Sequence, residues 1–364
     1  MARVDGSGFR TTPVVRSPAL ATEHGQSGDV WDKDETGNVS GSHKARHLMG
    51  VMLSLRVAES MVAADPETPL AIASCGNAAL AAAVVARAAE RRLLVFVPPS
   101  AEPAVIERLR ALGAELEVCE RQPGEAGDPT VARLMEAIAK GAVPFTVQGN
   151  LNGLAIEGGQ TLAWEMVGQL TEANSTIDRL VIHVGGGAFA SSAAAALEES
   201  VSLGQLEALP VIDTVQTQGG YPLSRAYERV AGQLGAIIGE PLPVEAADHA
   251  LDVVARHRSD FMWAWETEPV SIAHGILDDE TYDWLAVVRA MLISGGRSVV
   301  VDEATLEAAN ALARPAVGID ADHTGTAGLA GLIQLTRDGI VRPDETVAVI
   351  FSGARREADA DTAH

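Results

Sequence analysis

The chain has 364 residues, long enough for two core-forming units or one large domain with an insertion. Hydrophobic residues make up 47% of it but aromatic ones only 4%, so a core must be built from Ala, Val, Leu and Ile; with 35 glycines, this suits alternating strands and helices better than an all-β sandwich. The 27 basic and 49 acidic residues give a net charge of −22, which repels nucleic acid and anionic membranes and excludes both as partners.

Cys75 and Cys119 have no paired spacing, so a disulfide framework and a cysteine zinc site are both excluded and no metal is expected. The stretch after Met1 has no apolar run of signal-peptide length, and the most apolar segment, Ala78 to Ala86, is cut short by Arg87. A cytoplasmic protein is expected.

In chain order, residues 1–30 read as an extended lead-in in which Pro13 and Pro18 prevent long helices. Val30 to Lys33 reads as a short strand, and Asp34 to Ser42 as a polar turn. From Lys44 the pattern is helical, with Leu48, Val51, Met52, Leu55, Ala58 and Val62 at three- and four-residue steps. Strands at Leu70–Ala73, Leu93–Val97 and Glu115–Cys119 alternate with helices over Ala78–Arg91 and Ala104–Leu112, the signature of a parallel sheet with helical crossovers. Gln122 to Asp128 is a surface loop and Pro129 to Lys140 a helix. A helix from Gln160 to Leu170 precedes the strand Arg179–Val184, which runs into Gly185-Gly186-Gly187 and the helix Ala188–Glu199. A strand at Val211–Val215 and a helix at Tyr221–Leu234 follow, then a mixed stretch to Gly275. Helices over Glu280–Ser294, Glu303–Ala313 and Ala327–Asp338 enclose a strand at Arg297–Val301, and Thr346–Phe351 is a last buried strand before a charged, mobile tail from Arg355.

Four places could carry chemistry. Gly185, Gly186 and Gly187 lie between an apolar strand and an Ala-rich helix, where backbone N–H groups meet an anion at the positive helix end; the alternative is a tight strand-to-helix turn. The spaced dinucleotide fingerprint is not evident. Lys44 follows the small, polar Ser40-Gly41-Ser42-His43 at a helix start, as a nucleophilic amine held in a tight pocket would, or as a surface lysine would. The loop Ser74-Cys75-Gly76-Asn77 could grip a carboxylate with its N–H groups, or simply cap the next helix. Ser352, before Gly353, ends the final strand, where α/β sheets place ligands, although a plain turn reads the same. Cys75 reads as a pocket thiol or a small buried side chain, and His43 as a proton shuttle or a local packing group.

Together these segments resemble the fold-type II pyridoxal 5′-phosphate (PLP) enzymes, the family of threonine synthase, threonine and serine dehydratases, cysteine synthase and tryptophan synthase β, from about Thr12 to Gly353. Val30 to Arg46 is similar to the family's strand, Lys-x-Glu and Gly-Ser-Phe-Lys-Asp-Arg, with Lys44 at the Schiff-base position. Ser74 to Asn77 resembles the substrate loop, implying that Asn77 bonds the cofactor's 3′ oxygen and that Ser74, Cys75, Gly76 and Asn77 hold the substrate carboxylate. Gly185 to Ala188 is similar to the phosphate loop, with Ala188 in place of a fourth glycine, and Ser352 matches the residue facing the pyridine nitrogen. Glu157 to Thr161 resembles a patch that precedes a helix in synthases and dehydratases. His43 and Ala45 stand where the family has Phe and Asp, and Cys75 where Ser, Thr or Ala is usual.

The resemblance implies an α/β fold of two parallel-sheet domains with helices on both faces, tryptophan synthase β-like. The smaller, at 58–153, carries the substrate loop and closes on substrate; 1–57 and 154–364 form the larger PLP-binding domain. It also implies a homodimer and a small amino-acid substrate. Because a neutral serine cannot hold a protonated pyridine, chemistry at Cβ or Cγ is favoured over transamination. The first expectation is β-elimination by a threonine/serine dehydratase-like ammonia-lyase. Threonine synthase-like replacement is the alternative, and would need Lys or Arg for a second anion, with Arg46 and Arg225 as candidates. Outside enzymology the alternatives are a non-catalytic PLP or amino-acid sensor and a nucleotide-binding module.

Overall fold

The computed structural model describes residues 1–61, 64–121 and 128–356. Its elements begin with α1 (Ala2–Asp5), β1 (Val14–Arg16), α2 (Pro18–Glu23), β2 (Val30–Asp34), a 3-10 turn (Val39–Gly41), α3 (Lys44–Ser60), β3 (Leu70–Ala73) and α4 (Asn77–Ala88). Next come β4 (Leu93–Val97), α5 (Pro103–Ala111), β5 (Glu115–Val118), α6 (Pro129–Ala139), β6 (Val143–Pro144), α7 (Leu154–Glu172), β7 (Arg179–His183), α8 (Ala188–Ser202) and β8 (Val211–Thr217). The chain continues through α9 (Pro222–Leu234), α10 (Val244–Arg256), α11 (Trp284–Ser294), β9 (Ser298–Val301), α12 (Glu303–Val317), α13 (His323–Arg337) and β10 (Val347–Phe351). Val62, residues 122–127 of the expected surface loop, and the tail from 357 lie outside the described residues.

Residues 1–10 and 37–159 make one compact unit, and residues 11–36 and 160–356 the other. The first is wider than the 58–153 of the sequence reading, because α3 and the 3-10 turn pack on α4 and so join its core. Its four strands run β5-β4-β3-β6, all parallel. Strand periodicity decides which face each residue serves. Leu70, Ile72, Leu93, Val95 and Val97 enter one core with α3 and α4, while Ala71 and Phe96 enter the opposite one with Leu134 and Ala137 of α6.

The other sheet has six strands ordered β1-β2-β10-β7-β8-β9, with β1 antiparallel at the edge and every other pair parallel. Leu180, Ile182, Ala348 and Ile350 face a core shared with α7, α8, α9 and α11. Val181, Val347, Val349 and Phe351 face the opposite core under α12 and α13. Both faces of each sheet are covered by helices, as near-continuous apolar strands require.

Three local expectations change. The lead-in is not extended throughout: Pro18 opens the short α2 as its first residue, where a missing N–H costs nothing. The mixed stretch before Gly275 contains α10, with Leu251 and Val254 buried. Finally α7 begins at Leu154, so Gly158 and Gly159 lie inside the helix rather than before it. A Cβ on Gly158 would stand 2.5 Å from the Arg46 carbonyl oxygen, so this glycine lets α7 cross close against α3.

Candidate functional site

The chain has three lysines, and the structure separates their roles. Lys140 is exposed beside Glu136. Lys33 is fully buried and donates to the Glu165 carboxylate at 2.6 Å, the Thr12 carbonyl at 2.8 Å and Gln169 at 3.2 Å. Lys44 is half-buried in the first turn of α3. It follows a turn in which Ser40 has φ 58° and ψ 15° and Gly41 has φ 75°, a left-handed pair that sends the chain sharply into the helix. Ser42 Oγ is buried there with no hydrogen-bond partner among the described residues.

Three residues on, His47 is enclosed by the same unit. Its Nδ1 lies 2.8 Å from the Ala155 carbonyl of α7, so Nδ1 carries the proton and donates. Burial first, then the Lys44 charge, push its pKa down to about 3, and the imidazole is neutral throughout the physiological range. Its ring meets that of His43 edge-on, with centroids 5.6 Å apart. His43 itself is buried and occupies the N-cap position of α3 without a side-chain cap bond. Sequence reasoning passed over His47, although its spacing from Lys44 on a helix puts the two on one face.

The substrate-loop candidates sit in the same unit. β3 ends at Ala73, and Ser74, Cys75, Gly76 and Asn77 are half-buried as the chain turns into α4. Capping is not their job as expected of Ser74 or Asn77: Gly76 is the N-cap, with no side-chain bond to the first turn, and Asn77 is already helical. The Gly76 amide instead meets Ser74 Oγ at 3.4 Å. Since α4 packs on both α3 and the 3-10 turn, this unit brings the Lys44 segment and the helix begun by Asn77 together.

In the other unit, Gly185, Gly186 and Gly187 link β7 to α8, a helix of fifteen residues whose N-cap is Gly187, left-handed at φ 97° and with no side-chain cap. Side chains are excluded here by contact. A Cβ on Gly185 would lie 2.7 Å from the Asp278 carboxylate, on Gly186 3.0 Å from the Tyr282 ring, and on Gly187 2.9 Å from Thr281 Cγ2. The Asp283 amide donates to the Gly186 carbonyl at 2.9 Å and pins this wall to the turn. Thr281 Oγ1 is buried beside it with no hydrogen-bond partner among the described residues, a feature no motif signalled. Ala188, fully helical, starts α8 and is buried.

Ser352, buried, follows β10, and its amide reaches the Gly325 carbonyl at 3.4 Å while Gly353 (φ 102°) turns the chain away. β10 and β7 are parallel neighbours with Val349 opposite Val181, so Ser352 lies level with Val184, immediately before the glycine turn. Of the second-anion candidates, Arg225 is paired: its guanidinium holds both Glu266 oxygens at 3.0 Å and stacks 3.8 Å over the Trp263 ring. Arg46 is buried in α3.

Taken each by itself, the two places suit different parts of a cofactor. The glycine turn, crowded against a Cβ, opening on an uncapped helix N-terminus and adjoining an unsatisfied hydroxyl, suits an anionic tail. The Lys44 segment offers one amine beside a neutral imidazole, which suits an aldehyde. Among the described residues no group of three or more His, Cys, Asp or Glu is placed to hold a metal ion, and no helix is long and apolar enough to cross a membrane.

Comparison with known proteins bears on this geometry. The family model described as pyridoxal-phosphate dependent enzyme matches residues 7–353. Threonine synthase of Methanocaldococcus jannaschii is 24% identical over 346 residues, covering 94% of this chain and 74% of the relative. L-serine dehydratase of Saccharomyces cerevisiae is 26% identical over 226 residues, covering 61% of this chain and 64% of the relative. Among solved structures, the T.th. threonine deaminase superposes with a TM-score of 0.72 at 20% identity, over 98% of this chain and 96% of that one. Maize serine racemase gives 0.68 at 17% identity, over 97% and 91%.

Proposed function

The chain belongs to the pyridoxal-phosphate dependent enzyme family, and from that membership we propose that it is an ammonia-lyase acting on a small hydroxy-amino acid, L-serine or L-threonine, with release of ammonia and a 2-keto acid. Ser352 is the observation that carries this reading: the residue level with the glycine turn is a neutral hydroxyl rather than a carboxylate. A hydroxyl facing the ring nitrogen leaves that nitrogen uncharged, which suits loss of a Cβ substituent and disfavours transamination. When bound, PLP supplies the electron sink for the pair left at Cα.

In this assignment Lys44 would hold the cofactor covalently and, once displaced by substrate, take the Cα proton on its amine. Asn77 would donate to the 3′ oxygen of the ring, and Ser74, Cys75, Gly76 and Asn77 would hold the substrate carboxylate. Gly185, Gly186, Gly187 and Ala188 would bind the phosphate through backbone N–H groups, with Ser352 on the ring nitrogen. The β-hydroxyl leaves with a proton as water, and one water is taken up when the nitrogen is released as ammonia. Neutral His47 keeps a second positive charge away from the amine. The same reading takes the protein as a cytoplasmic homodimer whose smaller region, 58–153, closes on substrate.

A second reading, threonine synthase-like replacement, is favoured by the relative that aligns with 94% of the chain. It needs a cation for a substrate phosphate, and Arg225 is already paired with Glu266. The test is to record the visible spectrum of the purified protein and add amino acids singly. Spectral change with ammonia and keto acid from L-serine or L-threonine supports the lyase. A response confined to a phosphorylated hydroxy-amino acid replaces it with the synthase.

A further inference from the structure

The first ten residues belong to the unit that carries Lys44, although the chain from Thr11 to Thr36 belongs to the other. This return has a structural purpose. α1 packs on α4, with Met1 and Val4 against the core shared by α3 and α4. At its end the Asp5 carboxylate accepts the Ser40 amide N–H at 2.7 Å. The carboxylate is largely shielded, accepts from Ser7 Oγ at 3.3 Å, and faces Arg108 at 3.8 Å. The residue it holds is the strained one. Ser40 is one of three non-glycine residues with positive φ among those described, and it stands four positions before Lys44. Left-handed backbone at a serine persists only when its surroundings impose it. Within the turn two local bonds contribute: Asn38 Oδ1 accepts the Val39 N–H at 2.8 Å, and the Gly41 amide donates to the Asn38 carbonyl. Asp5 adds a constraint from a distant part of the chain.

We propose that Asp5 is a positioning residue for Lys44: its carboxylate locks the Ser40 amide into the left-handed turn from which the Lys44 helix departs, so the N-terminal segment sets where the cofactor-binding amine points. This rests on the assignment of Lys44 as the residue that holds the cofactor. Without the carboxylate the turn relaxes toward ordinary φ, and the start of α3, including Lys44, shifts with it. A glycine at position 40 accepts the same φ without strain and makes the anchor dispensable.

The experiment uses full-length protein reconstituted with PLP, reading PLP affinity by absorbance titration, the pH midpoint of the visible band, and borohydride-trapped cofactor on Lys44. Asp5→Ala should weaken PLP binding about tenfold and shift the band midpoint, and Asp5→Asn, which keeps an uncharged acceptor, should weaken it about threefold. Ser40→Gly introduced into Asp5→Ala should restore most of the affinity, a rescue that general destabilisation would not give. Affinity and midpoint unchanged in both Asp5 variants would overturn the proposal. So would a loss that Ser40→Gly leaves uncorrected. If wild-type protein traps no cofactor at position 44, and Lys44→Ala binds PLP equally well, the assignment of Lys44 falls and takes this inference with it; if wild type traps normally and only the Asp5 results fail, that assignment stands.

Discussion

Under the proposed assignment, the atoms that would do chemistry at Lys44 belong to a side chain, its amine, with the neutral imidazole of His47 beside it on the same helix. At Gly185 to Gly187 they would belong to the backbone, and the side chains around it, Thr281, Tyr282 and Asp278, stand so close that an added Cβ would have to displace them. The first unit lends itself to substitutions that remove chemistry and leave the fold. In the second, the atoms assigned to binding are also the packed ones, so a change in one would be a change in both. The requirement at the glycines is steric.

The strongest challenge to the contrast is Lys44→Ala. A half-buried cation in the first turn of a helix sits at the wrong end of the helix dipole, so its removal should leave thermal stability unchanged or slightly raised. Turnover should fall by at least about 10³-fold. A variant that unfolds, or one that keeps its activity, would erase the distinction between the two units.

Next in size is a matched pair of alanine substitutions. Gly187→Ala forces a Cβ to 2.9 Å from Thr281 and holds alanine at φ 97°. The cost should be about 1–3 kcal/mol, read as a lower urea midpoint together with PLP binding weakened by about ten- to a hundredfold. Gly76→Ala meets nothing within 4 Å, and its unfolding midpoint should stay within about 0.5 kcal/mol of wild type. Equal losses at both positions would mean that the loops are constrained alike.

Those glycines were legible in the sequence because they punctuate apolar strands. Leu70–Ala73 and Leu93–Val97 were equally plain, since strands buried on both faces read as uninterrupted apolar runs. What escaped depended on contacts between distant segments. The start of α7 was hidden because Gly158 looks like a breaker until the Arg46 carbonyl is seen against it. α10 was hidden because Asp248, Asp252 and Arg256 dilute a face on which Leu251 and Val254 are buried. β6 has two residues, too few for any period. His47 and Thr281 owe their interest to the Ala155 carbonyl and the glycine turn, neither of which is near them in the chain.

Acid titration sharpens the comparison further. His47 has a folded pKa of about 3 against 6.5 for an unperturbed histidine. Between those values the unfolded chain binds a proton that the folded one refuses, so stability is full above about pH 6.5 and declines as pH falls toward 3. Urea unfolding across that range should show wild type losing stability relative to His47→Gln, which retains a donor for the Ala155 carbonyl and has no proton to gain. Parallel curves for the two proteins would mean that the imidazole is not held neutral.

Asp32, on β2 of the other unit, gives the smallest effect and the opposite sign. Burial, opposed by the hydrogen bond from Ser17 and assisted by the nearby Asp34 charge, raises its carboxyl to about 6 from 3.8. Between these values the folded chain keeps a proton that the unfolded one has released, so the stabilisation is complete below about pH 4 and is lost as pH rises through 6. Asp32→Asn is neutral at every pH and still hydrogen-bonds Ser17, so its stability relative to wild type should grow from pH 4 to pH 6 and then level off. The two buried groups therefore tilt the stability of their units in opposite directions across the same acid range, and a double variant, His47→Gln with Asp32→Asn, should combine the two changes additively because each group titrates among the residues of its own unit.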